Sequence, residues 1–481
     1  MNMILCDIAI IGGGIIGTGI ARELSRYNVN TILIEKNMDI ASGTTKGNGG
    51  VTHSGYDAKY GTLKGKLNAK GAVQYKELSK ELDFEYLPCG TLTIGFNEEE
   101  HLVLKELLEN GIKNKVPGVR IIEGEEIFKV EPKANPKAKY ALHAPSAGVV
   151  DPYEVAIAFA ENAAANGVEF YRNNKVLDIE KDGDDFIIIT ERKRFRAKCV
   201  INATGVYGSV IANMVGIHDY LVMPRWGELL IVDKQIGFEL SSVLFPVPGK
   251  ATKGIAAIPA CAGNIIIGST AVMIEDRDYV GVTKEGIETL LHAAQKLVPE
   301  ISSKFVIREF SGLRPVAMDN NNDFIIEAHD EVKNFINVLG IQSPGVGAAP
   351  AIAQYVVDIV RASGFELVEK THFIKERKKI TRFKNLDMEL KNSMIMMNHD
   401  YGQIVCRCES ITRAEVIDAI RRPVGAVTVD GVKRRTRAGM GRCQSAFCQP
   451  RIVEILSEEL HIPQEEVLLE NEGSNILVGR R

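Results

Sequence analysis

The sequence has little that marks a membrane-embedded or secreted protein. No run of about eighteen apolar residues occurs among its 481 residues, so no transmembrane helix is expected. The single tryptophan leaves no aromatic belt. Residues 4–16 are apolar, but no basic region precedes them and Gly12, Gly13 and Gly14 interrupt them, which is not typical of a secretory signal.

No sign of charge dominates the chain either. The formal net charge is −4 and 25% of the residues are charged, which predicts no nucleic-acid partner. Four of the eight cysteines, Cys6, Cys89, Cys199 and Cys261, stand alone among mostly apolar or small residues. Such cysteines are typical of reduced thiols, so we expect a cytoplasmic protein. At roughly 150 residues per domain, the length predicts about three domains.

A strand, a glycine-rich turn and a helix open the chain. Residues 7–11 are apolar and suit a strand buried on both faces, and Gly12-x-Gly14-x-x-Gly17 follows. Gly12 permits the tight turn, Gly14 lets the backbone approach a pyrophosphate, and Gly17 lets helix and strand pack closely. Glu35 ends the next strand, where a carboxylate accepts hydrogen bonds from ribose hydroxyls. The unit predicts a dinucleotide site and leaves NAD and FAD both open.

Small hydroxyl residues and glycines follow in the run ASGTTKGNGGVTHSGYD, residues 41–57. With the glycine fingerprint, this run resembles the FAD-dependent oxidoreductases of the D-amino-acid oxidase type. Within that type, the sequence pattern is most similar to anaerobic glycerol-3-phosphate dehydrogenases and L-2-hydroxyglutarate oxidases. The resemblance covers nearly the whole chain. The resemblance implies FAD, held by Gly12, Gly14, Ile15, Ile16, Gly17, Glu35, Ser42, Gly43, Thr44, Thr45, Val176, Ala203, Gly205, Gly345, Val346 and Gly347.

The predicted fold class is α/β. A glutathione-reductase-like Rossmann domain for FAD is expected to interleave with a substrate domain, whose alternating or β-branched strands suit an antiparallel or mixed sheet. A small cysteine-rich domain follows them. The expected bounds are 1–85, 146–220 and 306–362 for the FAD-binding domain, 86–145 and 221–305 for the substrate domain, 363–398 for a linker, 399–460 for the cysteine-rich domain and 461–481 for a tail.

Two residues are candidates for catalysis. His53 lies in VTHSGYD, a stretch that in the resembling family lies against the flavin ring. It either takes the proton from a substrate hydroxyl or simply hydrogen-bonds the flavin or the backbone. Arg314 lies in FSGLRPVAMD, where relatives place an arginine near the substrate anion. The alternative for Arg314 is a structural ion pair with Asp319 or Asp323.

Three further residues are candidates for substrate binding. Arg225 and Lys253 lie on or beside predicted strands of the second sheet that can face the flavin, although most such charges are solvated. Tyr56 either covers the substrate or packs in a core. The segment 55–60 lacks the arginine found in some glycerol-phosphate dehydrogenases and is closer to the hydroxyglutarate type, which leaves the substrate open.

The remaining four cysteines form two pairs near the C-terminus. Cys406-x-Cys408 and Cys443-x4-Cys448 resemble the bacterioferritin-associated-ferredoxin-like module, which implies a [2Fe–2S] cluster. Four thiolates also suit a structural zinc ion, although zinc sites more often have two C-x2-C pairs. Basic residues outnumber acidic ones by seven from Arg421 to Arg451. They either balance local charge or dock an acidic electron carrier.

The resemblance implies a dehydrogenase that oxidises sn-glycerol 3-phosphate and passes electrons through the cluster to a partner subunit or carrier. The alternatives are oxidation of L-2-hydroxyglutarate or another 2-hydroxy acid, and oxidation of an amino or imino acid. A non-catalytic electron-transfer subunit is a fourth reading. A small anionic substrate is expected in the first two cases, and attachment to the inner membrane through a partner is left open.

Overall fold

Five parallel strands form the centre of the first sheet in the computed structural model, which describes residues 3–249, 254–318 and 320–479. In spatial order these strands are Glu169–Tyr171, Thr31–Ile34, Met3–Ile11, Arg194–Asn202 and Phe335–Leu339. Ile8, Ala9 and Ile10 are fully buried because helices and loops cover both faces of the sheet. The predicted parallel sheet is confirmed.

Antiparallel strands extend this sheet to eight. Ile325–Ala328 pairs with the edge strand Phe335–Leu339, and Val176–Asp182 forms a hairpin with Asp185–Thr190 that pairs with Arg194–Asn202. Helices cover one face with apolar side chains that include Ile20, Leu24 and Val356. The α-helices of this part are Ile15–Leu24, Leu63–Ala72, Tyr75–Leu82, Pro152–Ala165, Gly208–Met214 and Gly345–Ala362.

The second sheet has nine strands, and its pairings are antiparallel except for one parallel pair, Val243–Pro246 with Thr91–Gly95. Helix Lys284–Leu297 packs on it through Leu290, Ala294 and Leu297. The strands are Val306–Ala317, Val222–Val232, Val272–Met273, Ile265–Gly268, Ala256–Pro259, Val243–Pro246, Thr91–Gly95, Tyr140–Ala144 and Arg120–Glu123. Helices Glu98–Lys113 and Glu125–Val130 belong to the same region. The expected mixed sheet is confirmed.

One strand that was expected in the first, FAD-binding sheet lies in the second sheet. Val306–Ala317 pairs along almost its full length with Val222–Val232, which places residues 306–317 in the second sheet and not with the FAD-binding region. The reason is register: two long strands satisfy nearly all their backbone hydrogen bonds with each other. Tyr86–Leu87 and Val149–Val150 form a separate two-stranded sheet.

The segment 363–398 is fastened to the first sheet's helices. Arg377 is buried and forms an ion pair with Glu161, with Nε 2.8 Å from Oε2. Glu369 forms an isolated bridge with Tyr27. Helix Met388–Met397 follows and has no buried residue. Most of the segment has the exposure expected of a linker, but Arg377 and Phe383 are buried.

The C-terminal domain is built from three helices around a core that includes Val416, Val432 and Ile452. Its elements are a small sheet of Ile404–Cys406 and Ile411–Thr412, and helices Arg413–Arg421, Val429–Thr436 and Gln449–Leu460. Val467, in the predicted tail, is fully buried in this core, so the domain extends beyond residue 460. Among the residues that the structure describes, no helix is both long and apolar enough to cross a membrane.

Candidate functional site

A cavity of about 2060 Å³ lies where the two sheets and the C-terminal domain meet. The carboxyl ends of the first sheet's strands contribute Gly12–Gly14, Glu35 and Ala203–Gly205 to its wall. Strands of the second sheet contribute Arg225 and Arg314 from the other side. Ligands of open α/β sheets bind at this edge, so the position agrees with the predicted dinucleotide site.

The glycine turn at the end of the first strand admits no side chain. Gly12 has φ of +111°, and a Cβ atom there would lie 2.4 Å from the carbonyl oxygen of Ala203. A Cβ atom on Gly17 would lie 1.9 Å from the carbonyl oxygen of Gly12. Helix Ile15–Leu24 therefore packs directly on the strand, with its N-terminus facing the cavity as a site for phosphate charge.

Glu35 is buried beside this turn and its carboxylate is well supplied with donors. It accepts hydrogen bonds from the backbone N–H of Gly13 at 2.6 Å and from the backbone and side chain of Asn37 at 2.9 and 2.8 Å. Burial nevertheless raises the pKa of Glu35 above its usual range. Glu35 lines the cavity, where a carboxylate acceptor suits a ribose hydroxyl.

Residues of the loop 41–57 line the cavity, and two adjacent threonines of this loop bind opposite sides of it. Thr45 Oγ1 accepts a hydrogen bond from the backbone N–H of Ile15 at 3.0 Å, at the start of the helix. Thr44 Oγ1 donates to the carbonyl oxygen of Leu313 at 2.6 Å, in the second sheet. The loop thus joins the two sheets along one side of the cavity.

Most of the residues predicted to contact the cofactor line this cavity. Gly17 and Gly347 do not line it: both pack beneath, and a Cβ atom on Gly347 would lie 1.6 Å from the carbonyl oxygen of Thr52. The predicted residues on the wall are Gly12, Gly14, Ile15, Ile16, Glu35, Ser42, Gly43, Thr44, Thr45, Val176, Ala203, Gly205, Gly345 and Val346. A long cavity with a bare glycine turn and a helix N-terminus fits FAD.

Arg225 and Arg314 lie directly opposite each other on neighbouring antiparallel strands, and both line the cavity. Arg314 donates a hydrogen bond to the carbonyl oxygen of Thr270. Burial, together with the charge of Arg225, lowers the pKa of Arg314 to about 10. Within the described residues neither arginine has a carboxylate partner, and Asp323 instead accepts from the backbone N–H groups of Leu63 and Lys64.

His53 lies on the cavity wall beside strand Val243–Pro246. Its Nε2 is 3.2 Å from Ser343 Oγ, and its ring stacks on Phe245 with ring centroids 5.7 Å apart. Ser343 also lines the cavity, although the sequence alone did not single it out. Ser343 lies in the glycine-containing run 340–347, just before the predicted cofactor residues Gly345, Val346 and Gly347, and that position was the available signal.

Tyr56 packs in a core and does not cover the substrate, which were its two predicted roles. Its ring is buried in an apolar cluster with Leu104 and Leu142, and its hydroxyl is 2.9 Å from Thr93 Oγ1. Burial raises the pKa of Tyr56 to about 12. The substrate-binding role of Tyr56 is therefore corrected: the side chain packs in the core because its hydroxyl already has a partner there. Lys253 lies outside the described residues, as does Asp319.

The four C-terminal cysteines form two pairs. The Sγ atoms of Cys408 and Cys443 are 3.6 Å apart, and a hydrogen bond with Cys448 lowers the pKa of the Cys406 thiol to about 6. In the described part of the chain, no three histidine, cysteine or acidic side chains converge as ligands of one metal ion. Two thiol pairs suit a [2Fe–2S] cluster, in which each iron takes two thiolates, better than a single zinc ion.

The basic residues of the C-terminal domain mostly hold it against the rest of the chain. Arg435 binds both carboxylate oxygens of the buried Asp39, at 2.6 and 2.9 Å. Arg422 binds Glu161 at 2.8 Å, and Arg437 binds Asp151 at 3.1 Å. This explains most of the basic surplus as charge balance across a domain interface. The sequence could not assign these partners because they lie hundreds of residues away.

Comparison with known proteins agrees with these two sites. Residues 7–359 match the FAD dependent oxidoreductase family, and residues 404–458 match the BFD-like [2Fe-2S] binding domain. The chain is 43% identical over 473 residues to a glycerol 3-phosphate dehydrogenase of Caloramator mitchellensis, covering 98% of each chain. It is 28% identical to the human mitochondrial L-2-hydroxyglutarate dehydrogenase, covering 74% of this chain and 89% of that protein.

Among solved structures, the chain is similar to an FAD-bound, dithionite-reduced L-alpha-glycerophosphate oxidase from Mycoplasma pneumoniae. The TM-score is 0.74 at 30% identity, and the match covers 78% of this chain and 98% of the oxidase. FAD and the [2Fe–2S] cluster, both predicted from sequence, are confirmed as the cofactors that these two parts of the chain bind. The chain therefore belongs to the FAD dependent oxidoreductase family and carries a C-terminal BFD-like [2Fe–2S]-binding domain.

Proposed function

We propose that the protein oxidises sn-glycerol 3-phosphate to dihydroxyacetone phosphate and passes the electrons through its [2Fe–2S] centre to an external acceptor. The observation that carries the substrate is the pair Arg225 and Arg314, two cations in register on the wall of the FAD cavity. Like charges directly opposite each other on a sheet repel, so the pair is stabilised by an anion bound between or above them. A phosphate group offers enough charge and oxygen atoms for two guanidinium groups.

The comparisons support a phosphate substrate over a dicarboxylate. The relative at 43% identity over 98% of the chain is a glycerol 3-phosphate dehydrogenase, whereas the L-2-hydroxyglutarate dehydrogenases are 28% identical over about three quarters of the chain. The longer match includes the iron–sulfur domain. That relative is named a dehydrogenase, which agrees with an enzyme that passes electrons through this domain to an acceptor.

Three residues of the cavity, His53, Ser343 and Arg314, have a definable task in this reaction. FAD, when bound, supplies the acceptor for the hydride that leaves C2 of the substrate. His53 accepts the proton from the C2 hydroxyl, and its Nε2 faces Ser343 Oγ, which fixes the ring's orientation. Arg314, held by the Thr270 carbonyl, fixes the phosphate and hence the position of C2 relative to His53.

The exit of electrons is proposed at the exposed edge of the iron–sulfur centre. Cys406 and Cys448 are buried, whereas Cys408 is exposed. Phe447, next to Cys448, is 81% exposed, and a large exposed aromatic beside a redox centre suits contact with a partner. We propose that an acceptor subunit or carrier binds at this edge.

The test is anaerobic reduction of the bound flavin in the purified holoenzyme. We expect glycerol 3-phosphate to bleach the flavin band and turnover to proceed with an artificial acceptor, while L-2-hydroxyglutarate and glycerol give neither. If L-2-hydroxyglutarate alone bleached the flavin, glycerol 3-phosphate would be the wrong substrate and the enzyme would oxidise a 2-hydroxy acid. Bleaching by none of these, with dithionite still reducing the flavin, would contradict the proposal and favour an electron-transfer subunit.

A further inference from the structure

A connected group of charges lies between the C-terminal domain and the loop that follows the FAD cavity. Lys46 binds Glu470, Glu470 binds Arg434 at 2.9 Å, and Arg434 binds Asp39 at 3.1 Å. Two more arginines bind the same Asp39, which is fully buried. The members of this group, called the interface network below, are Lys46, Arg172, Arg434, Arg435, Asp39 and Glu470.

The interface network contains four cations and two carboxylates, so two positive charges are in excess. The neighbouring Lys433 and Asp430 pair with each other and leave this excess unchanged. The Nε atoms of Arg434 and Arg435 are buried without a hydrogen-bond partner among the described residues. Buried charge without a counter-charge is costly, so an excess of this kind indicates an anion that the network is built to meet.

Only part of the network reaches the cavity. Lys46, Arg434 and Glu470 line its wall, whereas Arg435 and Asp39 lie behind them. Lys46 directly follows Thr45, whose hydroxyl accepts from the backbone N–H of Ile15 at the N-terminus of the first helix. The excess charge is therefore adjacent to the turn and helix end that suit a pyrophosphate.

We propose that the iron–sulfur domain completes the FAD site, with Arg434 and Lys46 supplying the counter-charge for the FAD pyrophosphate. Each of the two phosphates of FAD carries one negative charge, which matches the excess of two in the interface network. Arg434 belongs to the C-terminal domain and Lys46 to the FAD-binding region, so the ligand joins the two. FAD binding and docking of the iron–sulfur domain then strengthen each other by the same factor.

The neighbouring arginines Arg434 and Arg435 provide a matched test, because both bind Asp39 and only Arg434 lines the cavity. We would prepare Arg434→Met and Arg435→Met in the full chain, remove FAD, and measure the dissociation constants of FAD, ADP and adenosine. Arg434→Met is expected to weaken FAD and ADP on the order of tenfold to a hundredfold, the effect of losing a hydrogen bond to a charged group. Adenosine, which has no phosphate, is expected to bind unchanged.

Arg435→Met is expected to act mainly on docking. It should lower the protease resistance of the C-terminal domain and weaken FAD binding only slightly. Equal losses for FAD, ADP and adenosine in both variants would overturn the proposal, because the arginines would then act through docking alone. Unchanged FAD affinity in Arg434→Met would also overturn it. Should Arg434→Met not fold, Lys46→Met carries the same comparison from the other domain, with iron content as the check that the cluster is intact.

Discussion

Arg225 and Arg314 face each other in register on two antiparallel strands, and the charge of Arg225 contributes, after burial, to lowering the pKa of Arg314. An anion relieves that repulsion, and the described residues supply no carboxylate for either side chain. In the proposed function the pair binds the phosphate of the substrate, so we expect it to act on affinity more than on the chemical step.

Replacing Arg314 is expected to raise KM for glycerol 3-phosphate with a smaller change in kcat. We expect Arg314→Met to raise KM on the order of tenfold to a hundredfold, because it removes hydrogen bonds to a charged group. Arg314→Lys keeps the charge and loses the paired donors, so its KM should lie between those of the wild type and Arg314→Met. Steady-state kinetics with an artificial acceptor measures this. Equal KM values for all three proteins would remove Arg314 from the substrate site.

Replacing His53 is expected to slow flavin reduction itself. His53→Gln should lower the rate constant of anaerobic flavin reduction by about a hundredfold or more, the usual contribution of a positioned base. Ser343→Ala removes only the hydroxyl beside Nε2 and should cost less than His53→Gln while shifting the pH profile of the rate. Stopped-flow absorbance reads both. A His53→Gln enzyme with an unchanged reduction rate would assign the proton to another group.

The glycine turn can be tested by adding one methyl group at two positions. Gly17→Ala places Cβ 1.9 Å from the carbonyl oxygen of Gly12, so strand and helix must separate. We expect it to lower the free energy of unfolding by about 1–3 kcal/mol, as overpacking does. Gly43→Ala is the control, because nothing lies within 4 Å of a Cβ atom there. Thermal denaturation of the two apoproteins should therefore differ clearly.

The iron–sulfur centre is expected to be separable from flavin reduction. Cys408→Ser should remove the cluster's visible absorbance and iron, while glycerol 3-phosphate still bleaches the flavin. Turnover with an acceptor protein should then stop. Cys89→Ser, at an isolated cysteine away from the two thiol pairs, should retain both iron and turnover. Iron retained by Cys408→Ser together with an unchanged visible spectrum would exclude that thiol as a ligand.

Docking of the C-terminal domain should resist mild acid. Burial alone would raise the pKa of Asp39, but Arg435, Arg434 and Arg172 hold it well below its usual value of 3.8. A lowered carboxyl pKa stabilises the folded state fully above the usual value, and that contribution is lost only as pH falls through the lowered one. Protease resistance of the domain should thus be constant from neutral pH to about pH 5 and fall in stronger acid. Asp39→Asn should lose it already at neutral pH.

The parts of the fold predicted correctly are those whose cause lies within a few residues. The strand, glycine turn and helix over residues 3–24 follow from apolar runs and from glycines that no other residue can replace. The spacing of Cys406, Cys408, Cys443 and Cys448 likewise identified the metal-binding module. Chemistry that depends on residues close together in the sequence can be predicted without the fold.

Contacts between segments that are distant in the chain could not be predicted from the sequence. The sequence allowed Tyr56 either role, and the position of Thr93 on another strand decided for the core. Strand Val306–Ala317 was assigned to the other sheet because its pairing partner, Val222–Val232, lies about eighty residues earlier. Register between strands depends on the whole sheet, and no local pattern encodes it.

The sequence by itself predicted FAD, a metal centre at the cysteine pairs and the family, because the glycine fingerprint, the run 41–57 and the cysteine spacing are local features that resemble known families. The tertiary structure alone decided that Arg225 stands opposite Arg314, and that the basic run of the C-terminal domain meets Asp39, Asp151 and Glu161. Those pairings join residues far apart in the chain. Their energy comes from burial and charge neutralisation at an interface that exists only once both domains have folded.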